Sequence, residues 1–137
     1  MRYTPKQELE QRIAKLQKRL KEESIDGAVI AQNADLFYFT GTVQRSHLFV
    51  PAEGEPLLMV NKTFEQAREE SSLENIIRLD SLKEINTVLK SYGYGPLKKL
   101  GFELDLLPAS NYLYYQNLFE GIKIVDASFT NTRSANG

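Results

Sequence analysis

Apolar residues return along this chain in two rhythms: one residue every three or four positions, and short unbroken runs. Leu9, Ile13, Leu16 and Leu20 stand four, three and four apart, separated mainly by charged residues and glutamine. That spacing predicts a helix lying with a single stripe against a core. Thr4-Pro5-Lys6-Gln7 reads as its start, with threonine as the cap, proline in the first turn and glutamine closing a capping box. A coiled coil would need the stripe to persist for three or four heptads, and it stops after about two.

Asp26-Gly27 marks a turn, and the apolar run from Ala28 to Ala31 reads as a buried strand. Asn33 is placed to cap a short helix whose flank carries Leu36, Phe37 and Phe39, and Gly41 is suited to end it in a left-handed conformation. A polar loop, Thr42 to Ser46, then carries Arg45 and leads through His47 into the strand Leu48-Phe49-Val50, stopped by Pro51. A turn from Ala52 to Pro56 joins that strand to Leu57–Val60, which predicts a hairpin. Thr63-Phe-Glu-Gln66 and Ser81-Leu-Lys-Glu84 repeat the capping-box pattern ahead of two further helices. Strands are expected at 75–79, 100–104 and 122–125, and Pro108 opens a helix with Tyr112, Tyr115 and Phe119 on one face. The resulting order is α-β-α-β-β-α-β-α-β-α-β. Such alternation predicts an α/β sandwich, helices on both faces of a sheet that the hairpin makes mixed.

Composition narrows what such a domain can do. The chain has 137 residues, enough for one domain, with 42% hydrophobic and 26% charged residues and a net charge of −1. No basic face suited to nucleic acid is suggested. Cysteine is absent and histidine occurs once, which excludes disulfides, thiolate chemistry and any site needing two imidazoles from this chain. The first helix is charged and no apolar run approaches the ~20 residues of a membrane span, so the expected location is the cytoplasm, away from membrane.

The chemistry-bearing residues gather in the Thr42–His47 stretch. Arg45 stands in an otherwise uncharged loop, and its planar fork suits a carboxylate. His47 could serve as a base or ligand, although a lone histidine at a strand entrance is more often a hydrogen-bonded structural residue. Asp80, Glu103, Asp105 and Asp126 all fall near strand ends and could be imagined as a nuclease-like metal cluster. Helix entry and solvent exposure explain them more simply. The glycines are isolated, so neither the dinucleotide fingerprint nor the P-loop is matched. Tyr112 and Tyr115 keep helical spacing with Phe119, which favours core packing over base stacking.

Taken in order, several segments resemble the N-terminal domain of the creatinase, prolidase and aminopeptidase P group of metalloenzymes. They are Arg12 and Leu16 in the first helix, Asp26-Gly-Ala-Val-Ile30, Asn33-Ala-Asp-Leu-Phe-Tyr-Phe-Thr-Gly41, Leu57-Leu-Met-Val60, Leu100-Gly-Phe-Glu103, and Val125-Asp-Ala-Ser128 followed by Arg133. The resemblance implies a three-layer, ribonuclease H-like α/β sandwich with a mixed six-stranded sheet. It also implies that catalysis belongs to a C-terminal domain, where two Asp, one His and two Glu hold divalent metal (manganese, cobalt or zinc). No catalytic residue, metal ligand or cofactor is therefore expected in residues 1–137. Family members continue past the Arg133 position to a lysine, where this chain has Asn136, and the chain reads as an isolated N-terminal domain.

In the family this domain covers the active site, supports a homodimer, and in several members sends the loop after Thr-Gly into the partner's site. Arg45 and His47 are then the expected substrate-binding pair, acting in trans on a peptide or small-molecule substrate. The expected partners are the domain's own catalytic domain and a second copy, and the expected activity is that of an Xaa-Pro peptidase or creatinase-like hydrolase. The alternative is a stand-alone module of the same fold that binds a small ligand or a partner.

Overall fold

A computed structural model describes residues 4–127. Six strands form one mixed sheet in the order β4-β3-β2-β1-β5-β6. In chain order the elements are α1 (Lys6–Glu22), β1 (Gly27–Ile30), α2 (Asn33–Thr40), β2 (Ser46–Pro51), β3 (Leu57–Val60), α3 (Phe64–Glu70), β4 (Ile76–Arg78), α4 (Ile85–Ser91), β5 (Lys99–Phe102), α5 (Ala109–Leu118) and β6 (Lys123–Asp126). A single 3-10 turn, Leu82–Glu84, runs directly into α4. The order is the one the apolar pattern predicts.

β2 is antiparallel to both neighbours, pairing Leu48 with Ile30 of β1 and with Leu58 of β3, while the other adjacent strands run parallel. The expected β2–β3 hairpin therefore supplies the reversal that makes the sheet mixed. Alternation along the strands sends side chains to two separate cores. On one face Ala28, Ile30, Leu48, Val50, Leu58 and Val60 pack with the α1 stripe, Leu36 and Phe39 of α2, and Ala67 of α3. On the other, Val29, Phe49, Leu57, Met59, Leu100 and Phe102 pack with Ile85 and Leu89 of α4 and Tyr115 of α5, next to Phe119. Three layers result.

All four members of the α1 stripe are buried, each worth about 1.5–3 kcal/mol in removed apolar surface. Close packing also explains Gly101. A methyl group there would lie 2.8 Å from the Ala127 methyl, so the strand reaches its neighbour only without a side chain.

Local capping departs from expectation at three helices. Pro5 and Gln32, not Thr4 and Asn33, precede the first helical residues, and neither α1, α2 nor α3 has a side-chain cap. Only the Ser81 hydroxyl accepts as expected, from the Lys83 amide at 3.3 Å. Phe37 also departs from its predicted apolar flank. It is 47% exposed, because Leu36 and Phe39 already fill the buried side of a helix only two turns long. Ser128, Arg133 and Asn136, singled out by the sequence, lie outside the described residues.

Candidate functional site

The carboxyl ends of β1, β3 and β5 and the start of β2 lie at one edge of the sheet, since Ser46 pairs with Val60 and Leu48 with Ile30. The connection leaving β1 goes to one side, to β2, while β5 flanks β1 on the other. This is a topological switch point, the position where open α/β sheets usually take ligands. Here a side chain of the protein occupies it. The Glu103 carboxylate, just past β5, accepts from the amides of Ala31 at 2.6 Å and Gln32 at 3.1 Å, ahead of α2. The entry to α2 is thus held by a carboxyl from far along the chain.

Helix α2 ends cleanly. Gly41 adopts φ +78°, and its amide donates to the Phe37 carbonyl at 2.9 Å, as the left-handed termination predicts. The loop that follows is stitched down by polar groups the sequence had not pointed out. Thr42 Oγ1 donates to Glu70 Oε1 at 2.5 Å, the Val43 amide reaches the same oxygen at 3.4 Å, and the Gln44 amide group donates to both Glu70 oxygens. These donors, Thr42 first, hold the Glu70 carboxyl below its usual pKa. The Ser71 hydroxyl donates to the Thr40 carbonyl, and Ser46 Oγ closes on the Gln44 carbonyl at 3.1 Å. A glutamate ending a charged helix carries no local mark of such a role.

Arg45 rides on this anchored loop with its side chain exposed, and it forms no ion pair with the described residues. Its guanidinium is available to an anion brought from outside. Phe37 and Val43, beside the same loop, and Leu106, after β5, are exposed apolar residues at this edge.

His47 belongs to β2 and not to the loop. Its ring points to the α5 face, where Nε2 lies 2.7 Å from the Tyr115 hydroxyl and the two rings meet edge-on at 5.9 Å. Burial lowers its pKa from 6.5 to about 4, so the imidazole is neutral at pH 7. Burial also pushes Tyr115 up to about 12, with the Glu103 charge adding to it. Arg45 and His47 therefore leave the sheet edge in different directions, one toward solvent and one toward α5.

The four carboxylates do not assemble. Glu103 is buried beyond the end of β5, Asp105 is exposed in the following turn, Asp80 lies 3.4 Å from Arg78, and Asp126 is exposed on β6. Among the described residues no group of three or more His, Asp or Glu side chains could hold a metal ion. These residues do not suit a divalent metal, and none of the chemistry below passes through one here. No helix among them is long and apolar enough to cross a membrane. A cleft of about 550 Å³ between α4 and the starts of β5 and β6, lined by Asn86, Lys90, Tyr94 and Glu120, opens at the opposite end of the sheet from Arg45.

A Xaa-Pro dipeptidase of Pyrococcus furiosus is 30% identical over 122 residues, covering 86% of this chain and 33% of that protein. The chain thus spans about a third of the length of that relative. Among solved structures, a Xaa-Pro dipeptidase from Bacillus anthracis superposes with a TM-score of 0.78 at 20% identity, over 92% of this chain and 35% of that one. The Creatinase/Prolidase N-terminal domain of an X-Pro dipeptidase from Streptococcus pyogenes gives 0.72 at 17% identity, over 90% and 98%. Both share the fold described above. The model of the Creatinase/Prolidase N-terminal domain matches residues 12–133, and the chain belongs to that family.

Proposed function

We propose that this domain serves a metal-dependent Xaa-Pro peptidase as a non-catalytic cover, with Arg45 binding the free carboxylate of the substrate. The observation carrying this reading is an exposed arginine, without an ionic partner among the described residues, on a loop pinned by Glu70. A pinned loop can present its guanidinium with little ordering cost. A bidentate fork matches a carboxylate in both charge and geometry. The metal, manganese, cobalt or zinc, then belongs to a catalytic domain that supplies activated water. His47 holds the first turn of β2 against α5 and so steadies the loop from within. The exposed Phe37, Val43 and Leu106 mark the edge as the side to be covered by the catalytic domain or by a second subunit of a homodimer.

The test is kinetic. In the full-length protein, Arg45→Ala should lower kcat/KM for an Xaa-Pro dipeptide by about ten-fold or more, the loss of a charged hydrogen bond. The same substitution should barely alter turnover of the dipeptide amide, which has no carboxylate to bind. Equal losses on both substrates, or no loss on either, would remove Arg45 from substrate binding.

A further inference from the structure

We infer that Asp35 and Glu103 hold one proton between their carboxyl groups, and that this proton ties the start of α2, with the loop after it, to the end of β5. Both residues are buried, Asp35 at 1% exposure and Glu103 at 2%. One Glu103 oxygen is committed to the Ala31 and Gln32 amides. The other, Oε2, is shut off from solvent and meets no donor among the described residues. Yet the Glu103 side chain is within hydrogen-bonding reach of Asp35. Ionised carboxylates only accept, so two of them can share a hydrogen bond only if one carries a proton. A proton in that place also satisfies the orphaned oxygen.

Among the described residues no positive charge is supplied to Glu103 instead. Tyr115 of α5 is near enough for the Glu103 charge to raise its pKa, and His47 of β2 lies 2.7 Å from the Tyr115 hydroxyl, kept neutral by burial. Asp105, two residues on, is exposed. Burial first, and then Asp35, raise the Glu103 pKa to about 9, while the two backbone amides pull the other way. The amides of Ala31 and Gln32, ahead of α2, both donate to this distant carboxyl. Loss of the proton sets two buried negative charges against each other at the one point that holds the helix start.

The experiment is a carbon-13 NMR titration of the Glu103 side-chain carboxyl in the whole chain, pH 3 to 10, with Asp35→Asn and Glu103→Gln beside the wild type. The Glu103 signal should stay in its protonated position past pH 7. In Asp35→Asn, whose amide donates in the proton's place, the Glu103 acid constant should rise at least tenfold. Glu103→Gln keeps an acceptor for the two amides and donates to Asp35. Its urea midpoint should therefore fall less than the wild type's between pH 7 and 10. A wild-type Glu103 that titrates near pH 4.5, unmoved by Asp35→Asn, overturns the inference. Should Glu103→Gln fail to fold, the wild-type titration still decides.

Discussion

His47 turns the packing of this domain into a pH dependence with a definite sign. Its ring is buried against Tyr115, and its pKa falls from 6.5 to about 4. In the unfolded chain the imidazole takes up a proton near pH 6.5, whereas in the folded chain it does so only near pH 4. The unfolded state therefore binds more protons between these values, and stability falls as the pH falls through them. The contribution is fully present above the unfolded pKa. A depression of this size corresponds to about 3 kcal/mol, since each pKa unit is worth about 1.4 kcal/mol. Integrating the linkage, about 2 kcal/mol is gone by pH 5 and nearly 3 by pH 4.

The assay compares urea unfolding of the wild type with His47→Gln at pH 7, 5 and 4. Glutamine can still bond the Tyr115 hydroxyl but does not titrate, so the carboxylates cancel in the difference. The wild type should lose about 2–3 kcal/mol more than the variant on acidification. Because the chain has one histidine, its imidazole proton resonance reports the folded pKa without assignment. Parallel stability profiles, together with a folded titration near 6.5, would refute the reasoning.

Two further outcomes follow from burial. Leu16→Ala, at a fully buried position in the α1 stripe, should destabilise the chain by about 2–5 kcal/mol in urea unfolding. Arg45→Ala should stay within about 0.5 kcal/mol of the wild type in the same measurement, because the side chain is exposed and unpaired among the described residues.

Much of the architecture was legible because it rests on period and punctuation. The stripe from Leu9 to Leu20, the apolar runs at β1 and β3 and the Gly41 stop are local facts, and each appears where the pattern places it. Capping was less legible. A short polar residue ahead of a helix states only an opportunity, and Asn33 is instead the first helical residue, while Glu103 accepts from the two amides that precede it. The site divides in the same way. Arg45 stood out as a lone charge in its loop, and its side chain is exposed. The inward turn of His47 depends on the register of β2, which begins at Ser46, two residues earlier than expected. Glu70, Asp35 and Tyr115 act through partners far away in the chain, and no spacing rule reports such partners.

The central claim is that this domain covers a catalytic centre without containing one. Hydrolysis of an Xaa-Pro dipeptide by the isolated chain, in manganese, cobalt or zinc, tests it most directly. The account predicts no turnover above a protein-free blank with any of the three metals. Turnover that rises with the concentration of this chain would contradict it.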